Sequence, residues 1–244
     1  MFRSFIYLDQ EKMYSYLRQI DTDYANQPIE ISKKKTRGGS LGTDFFGANV
    51  GTEIEEKREV TKDVIKDYDR FEKKLEELAG SEYFDLVLDD YDINTVPRMS
   101  IIRVNGSFEI PEQFEMFSVA QNYMPLITSQ ITTSSDNERE LMEASADIPI
   151  IIEDEEITIA SKMSMDNIEE EYAELEEYNE QEVYMLCKVV GIMKKDKVEI
   201  FNPLKDFIKL PRAVRREMDS NSQGMEPILV DGPVLKVEVI AMYK

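Results

Sequence analysis

Histidine is absent from the 244 residues, and one cysteine, Cys187, is the whole thiol complement. The first absence removes the commonest general base and the commonest metal ligand, which excludes imidazole-based triads and histidine zinc sites. The second excludes a disulfide within the chain and a thiolate metal cluster, and it leaves a cysteine nucleophile without its usual partner. Flanked by Met185-Leu186 and Val189-Val190, Cys187 reads as part of a strand entering a core, a buried and inert thiol. Phosphate loops are missing too. Gly38-Gly39-Ser40-Leu41-Gly42-Thr43 lacks the Lys-Ser/Thr pair of a P-loop, and there is no dinucleotide-binding glycine fingerprint. No cofactor is expected.

Long apolar runs are absent as well: none reaches the roughly 18 uncharged residues that a membrane-spanning helix needs. Asp9 interrupts the opening too early for a secretory signal, so a cytoplasmic protein without constitutive membrane association is the expectation. Bases are scarce, 29 against 50 acids, and the formal net charge of -21 repels phosphate backbones and disfavours direct binding of nucleic acid. The charge is uneven, since residues 153–182 hold thirteen acids and one base, Lys162.

What is present is a chain long enough for a sizeable core, 42% apolar and 32% charged. Phe2 to Leu8 predicts a strand, and Asp9 can cap a helix with Met13, Tyr16, Leu17 and Ile20 on one face. Ile29 to Lys35 suggests another strand. Half of all the glycine then falls between Gly38 and Gly51, a segment read as a mobile loop. The spacing of Val64, Ile65, Tyr68, Phe71, Leu75 and Leu78 predicts a helix over 61–79, with Gly80 placed to end it. Asn105-Gly106, between two apolar runs, predicts a tight hairpin turn. Pro111 can open a helix carrying Phe114, Phe117 and Val119.

Beyond the polar tract Thr132 to Glu140 the pattern turns to strands at 148–152, 157–160, 183–193, 198–201 and 234–242, with the Lys194-Lys195-Asp196 turn between two of them and a short helix at 211–218. The expected fold is α+β, with a helix-richer amino-terminal half, a strand-richer carboxy-terminal half and antiparallel hairpins. Two regions are drawn: 1–131 with the glycine-rich loop 38–51, and 141–244 with an acidic helix at 165–179.

Two clusters invite a functional reading. Asp85, Asp89, Asp90, Asp92 and Asn94 could hold a divalent cation through hard oxygen ligands, with Glu109 completing a hydrolase or nuclease site. As a calcium loop the cluster fails, because Thr95 stands where glycine is required and Ile101 where the bidentate glutamate belongs. The acidic helix carries a narrow apolar stripe, Ile168, Tyr172 and Leu175, beside Glu169 and Glu176. That stripe either docks on the chain's own core or meets a basic groove of a partner. Residues 153–182 could also mimic nucleic-acid charge, and residues 38–51 could insert into a membrane on a trigger.

The opening Phe5-Ile6-Tyr7-Leu8-Asp9, the helix end Tyr16-Leu17-Arg18-Gln19-Ile20, the glycine-rich stretch before a Lys/Glu helix and the ending Gly232-Pro233-Val234-Leu235-Lys236-Val237-Glu238-Val239-Ile240-Ala241-Met242-Tyr243 together resemble a family of bacterial proteins of unknown function. One member type of that family is similar to the smaller component of the Dodola anti-phage defence system, which is encoded beside a ClpB-like AAA+ ATPase. The resemblance implies a non-enzymatic accessory, sensor or effector. Its partners would be that ATPase, further copies of the chain and a phage protein. It supplies no catalytic residues to carry over.

Overall fold

In the computed structural model the described residues are 3–25, 62–88, 92, 95–114, 147–153, 158–169, 175–202, 206 and 226–244, without the side chains of 62, 63 and 176. The chain opens with strand β1 (Phe5–Leu8) and helix α1 (Gln10–Ile20). The Asp9 carboxylate accepts a hydrogen bond from the Lys12 N–H at 3.0 Å, closing the first turn as the sequence predicts and contributing about 1 kcal/mol. Helix α2 (Lys62–Glu76) buries Val64, Tyr68, Phe71 and Leu75, a face at alternating spacings of four and three residues, while Ile65 stays outside it. A turn follows, in which Gly80 takes a φ of 77° that side chains resist.

The remaining elements are strands: β2 (Tyr83–Asp85), β3 (Ile101–Glu109), β4 (Ile148–Glu153), β5 (Thr158–Met163), β6 (Glu182–Met193), β7 (Lys197–Phe201), β8 (Ile228–Asp231) and β9 (Val234–Tyr243). Seven of the nine described strands form one sheet in the order β1-β9-β5-β4-β3-β2, and β6 pairs with both β3 and β9. Through β6 the pairing β3-β4-β5-β9 returns on itself, so five strands close into a barrel-like ring with β1 and β2 added at its sides. β7 and β8 pair separately.

This topology explains the near-continuous apolar run of β9. Val239 and Met242 face the ring interior beside Cys187, Met185 and Ile102, whereas Ile240, Ala241 and Tyr243 lie under the helices with Leu17, Tyr68 and Phe71. A strand buried on both faces does not alternate. Toward its start, Lys236 is exposed and Glu238 half-buried between buried valines. Cys187 is fully buried, and burial pushes its thiol pKa well up, in keeping with an inert role.

The mixed α+β class holds, with both longer helices in the amino-terminal half. Several expectations are corrected. Asn105-Gly106 makes no turn: β3 runs straight through it, and Gly106 pairs with Val183 of β6. A Cβ on Gly106 would lie 2.6 Å from Ile152 Cγ2 and 2.7 Å from the Glu153 carbonyl oxygen. The glycine admits β4, which joins β3 at Ser107, so its role is close approach. Strands from the regions 1–131 and 141–244 share one sheet, with β1 on β9 and β3 between β4 and β6. No continuous helix begins at 165, because Met165–Asn167 is a single 3-10 turn and Ile168 is extended. A second 3-10 turn covers Glu176–Tyr178.

Strands β2 and β8 were not anticipated. The expected strand at 29–35, the loop 38–51, Phe117, Val119, the tract 132–140 and the helix at 211–218 lie outside the described residues. Among the described residues no helix is long and apolar enough to cross a membrane.

Candidate functional site

Asp85 and Glu109, two described members of the carboxylate set, do not come together. Asp85 ends β2 directly opposite Arg103 of β3. Its two oxygens accept from the guanidinium, Nε to Oδ1 at 3.2 Å and Nη2 to Oδ2, while Oδ1 also accepts from the Val87 N–H at 3.1 Å. Burial is the largest influence and works against the Arg103 charge, but the hydrogen bond it donates to Asp85 and the surrounding negative charge together leave its pKa raised. Glu109 lies six residues farther along β3, roughly 20 Å away at strand spacing, so the two carboxylates cannot share an ion. Glu109 instead faces Glu153, Glu180 and Glu112, and partial desolvation followed by their repulsion lifts its pKa. Asp92 is exposed, and Asp89, Asp90 and Asn94 fall outside the described residues. Among the described residues no three acidic or thiol side chains are grouped to hold a metal ion.

The two described residues of the apolar stripe are taken up by the chain itself. Ile168 and Leu175 are 3% and 0% exposed within the ring-side core. Ile168 bridges to Tyr7, and the Glu169 N–H donates to the Ile6 carbonyl at 3.1 Å, so this segment extends the β1 edge. Ile168 and Leu175 are therefore not open to a partner in this state. Tyr172 and the Glu176 side chain lie outside the described residues.

The described residues do line a cleft of about 390 Å³ that no residue pattern marks. Ile20 at the end of α1, and Leu75 and Leu78 at the end of α2, form an apolar side. Arg98 and Met99, on the connection into β3, form another, and Lys188 of β6 reaches in beneath Tyr16. The Lys188 ammonium lies 4.8 Å from the centroid of the Tyr16 ring and 3.4 Å from its hydroxyl. The Tyr16 hydroxyl donates in turn to Glu238 Oε2 at 3.4 Å. Burial, then the Glu238 charge, raises the Tyr16 pKa.

Glu238 and Asp9 are engaged by another cation. Lys12 Nζ sits 3.2 Å from Glu238 Oε1 and 3.0 Å from Asp9 Oδ2. Lys188 therefore has no carboxylate in ion-pair range among the described residues, and neither does Arg98. The Arg98 guanidinium lies along Gly191 of β6, where a Cβ would come within 3.3 Å of Nε.

Met99 is the strained point of this wall. It holds a φ of 73° and is 64% exposed, an uncommon conformation for a residue with a side chain. Backbone bonds fix it in place: Met99 N–H to the Val189 carbonyl at 2.8 Å, Val189 N–H to the Ser100 carbonyl at 2.8 Å, and Ile101 N–H to the Glu82 carbonyl at 2.8 Å. Val190, at an irregularity in the β6–β9 register, is pushed outward to 47% exposure. A strained, solvent-facing methionine held by its surroundings is a feature of binding sites more than of scaffolds. The cleft thus joins apolar side chains to the cations Arg98 and Lys188. Arg98, Met99 and Lys188 carry no shared spacing in the sequence that would have marked them.

A family model described as "Domain of unknown function (DUF6414)" matches residues 2–243. No curated protein and no solved structure matches the chain.

Proposed function

The chain belongs to the DUF6414 family, and from that footing we propose that it is a protein-binding subunit that works by assembly with a partner and not by bond chemistry of its own. The cleft between α1, α2 and residues 97–101 carries the reading, because it joins apolar walls to two cations without carboxylate partners among the described residues. Of the acids that suggested a metal-dependent hydrolase, Asp85 is committed to Arg103, which speaks against its holding a metal ion.

The proposed partner is a ClpB-like AAA+ ATPase, and the proposed setting is bacterial anti-phage defence in the cytoplasm. Both rest on the resemblance of the opening strand and helix and of the closing strand to the smaller Dodola component. The ATPase supplies the ATP chemistry, for which this sequence has no motif. Self-association and recognition of a phage protein belong to the same proposal. Co-expression with the ATPase followed by size-exclusion chromatography tests it: co-elution in at least one nucleotide state is expected, and separate peaks in every nucleotide state would sink it.

A further inference from the structure

We infer that the cleft receives an acidic stretch of a partner protein, an apolar side chain lodging against Leu75 and Leu78 while neighbouring carboxylates meet Arg98 and Lys188. This rests on the protein-binding reading above and deepens it by naming the chemistry of what is bound.

Charge is the first argument. Among the described residues of a chain of net charge -21, Arg3, Lys12, Arg70, Arg103, Lys162 and Lys197 form ion pairs, while several surface lysines such as Lys194, Lys195 and Lys236 do not. Arg98 and Lys188 also have none among the described residues, and they are the two cations that line the cleft. Two unpaired cations beside an apolar wall are complementary to an anion that arrives with an apolar side chain. The overall negative charge does not forbid this. At physiological salt the screening length is about 8 Å, so a ligand seated in the cleft feels the two local cations more than the distant acids.

Size and shape agree. About 390 Å³ lies in the range of built ligand sites and accommodates a few side chains, not a folded domain. Exposed Met99, and Val190 on the strand whose Val189 binds it, offer adaptable apolar surface at this side. Glu82 also lines the cleft and opposes an anion, which makes it a built-in control: neutralising it should tighten binding.

The test is fluorescence polarisation with a fluorescein-labelled peptide alternating Glu and Leu, and a matched peptide alternating Lys and Leu. Saturable binding of the acidic peptide alone is expected. Arg98→Glu should weaken it about tenfold or more, Lys188→Glu likewise, and Glu82→Gln should strengthen it. Lys194→Glu, at an exposed residue outside the lining, should not change it. Arg98 is exposed, so its variant keeps the fold, which a thermal melt checks alongside. Absence of saturable binding, equal binding of the basic peptide, or indifference to Arg98→Glu overturns the inference.

The same variants are then taken through size-exclusion chromatography with the ATPase. If the ATPase complex forms and ignores Arg98→Glu while the peptide does not bind, the inference fails and the assembly reading stands. If neither peptide nor ATPase binds, both fall. If the peptide binds and the ATPase does not, the cleft assignment stands and the choice of partner fails.

Discussion

The Lys188 ammonium rests 4.8 Å from the centre of the Tyr16 ring, and Glu238, opposite it on β9, is held by Lys12. A cation over an aromatic face gains about 0.5–1 kcal/mol at a partly exposed site, enough to orient the side chain and too little to neutralise it. Lys188 is thus positioned while its charge stays available, and that combination distinguishes the cleft from the ion pairs elsewhere in the fold.

Met99 tests whether the wall of the cleft is strained for use. Met99→Gly relieves a left-handed conformation costing about 1–2 kcal/mol, against about 0.5–1 kcal/mol of added chain entropy in the unfolded state. Urea denaturation should show stability unchanged or slightly raised, while binding of the acidic peptide weakens several-fold because the thioether wall is gone. A clear loss of stability would mean that Met99 packs for the fold and not for a ligand.

Gly106→Ala should destabilise the protein by about 1–3 kcal/mol, the usual cost of forcing a methyl into a packed site. The backbone oxygen of Glu153 lies 2.7 Å from where that methyl would sit and belongs to a ring strand that cannot yield alone. An alanine variant as stable as the parent in chemical denaturation would show that β3 and β4 do not cross as closely as described.

Asp85→Ala should cost about 2 kcal/mol, since it strands a largely buried Arg103 guanidinium and withdraws the acceptor for the Val87 N–H. It should leave binding of magnesium or manganese unaltered, as read by calorimetric titration. Saturable metal binding in the parent that disappears in the variant would revive the hydrolase reading.

Glu109→Gln probes the small acidic group on the other side of the ring. Because desolvation and the charges of Glu153, Glu180 and Glu112 raise its folded pKa above the unfolded 4.5, the folded state holds the proton more tightly and wild-type stability falls as pH rises through that interval. The glutamine variant should gain a few tenths of a kcal/mol at neutral pH, a modest figure because the side chain is exposed. The gain should vanish below about pH 4.5, where Glu109 is protonated in both states. Thermal melts across pH check this, and a gain that persists at low pH would rule out the charge explanation.

Local chemistry was readable wherever it was also decisive. Asp9 capped α1 as its position implied, and the four-three spacing from Val64 to Leu75 placed the buried face of α2. Asn105-Gly106 misled because a turn-forming pair and a glycine required for close strand crossing look alike until β4 is brought alongside. Strands β2 and β8 are three and four residues long, too short for an alternation to register. The stripe of Ile168 and Leu175 was legible as apolar, but its destination under β1 depends on a bridge to Tyr7 far away in sequence. The cleft was illegible for the same reason, since residues 16–20, 75–82, 97–101 and 188 meet only after the ring has closed.

Hydrogen–deuterium exchange of the full chain, alone and with the ATPase, addresses the protein-binding assignment of the cleft most directly. Added partner should protect the backbone around 97–101 together with the end of α1 and the Lys188 stretch of β6, and Arg98→Glu should abolish that protection. Protection confined to other surfaces, with the cleft exchanging as in the free protein, would contradict it.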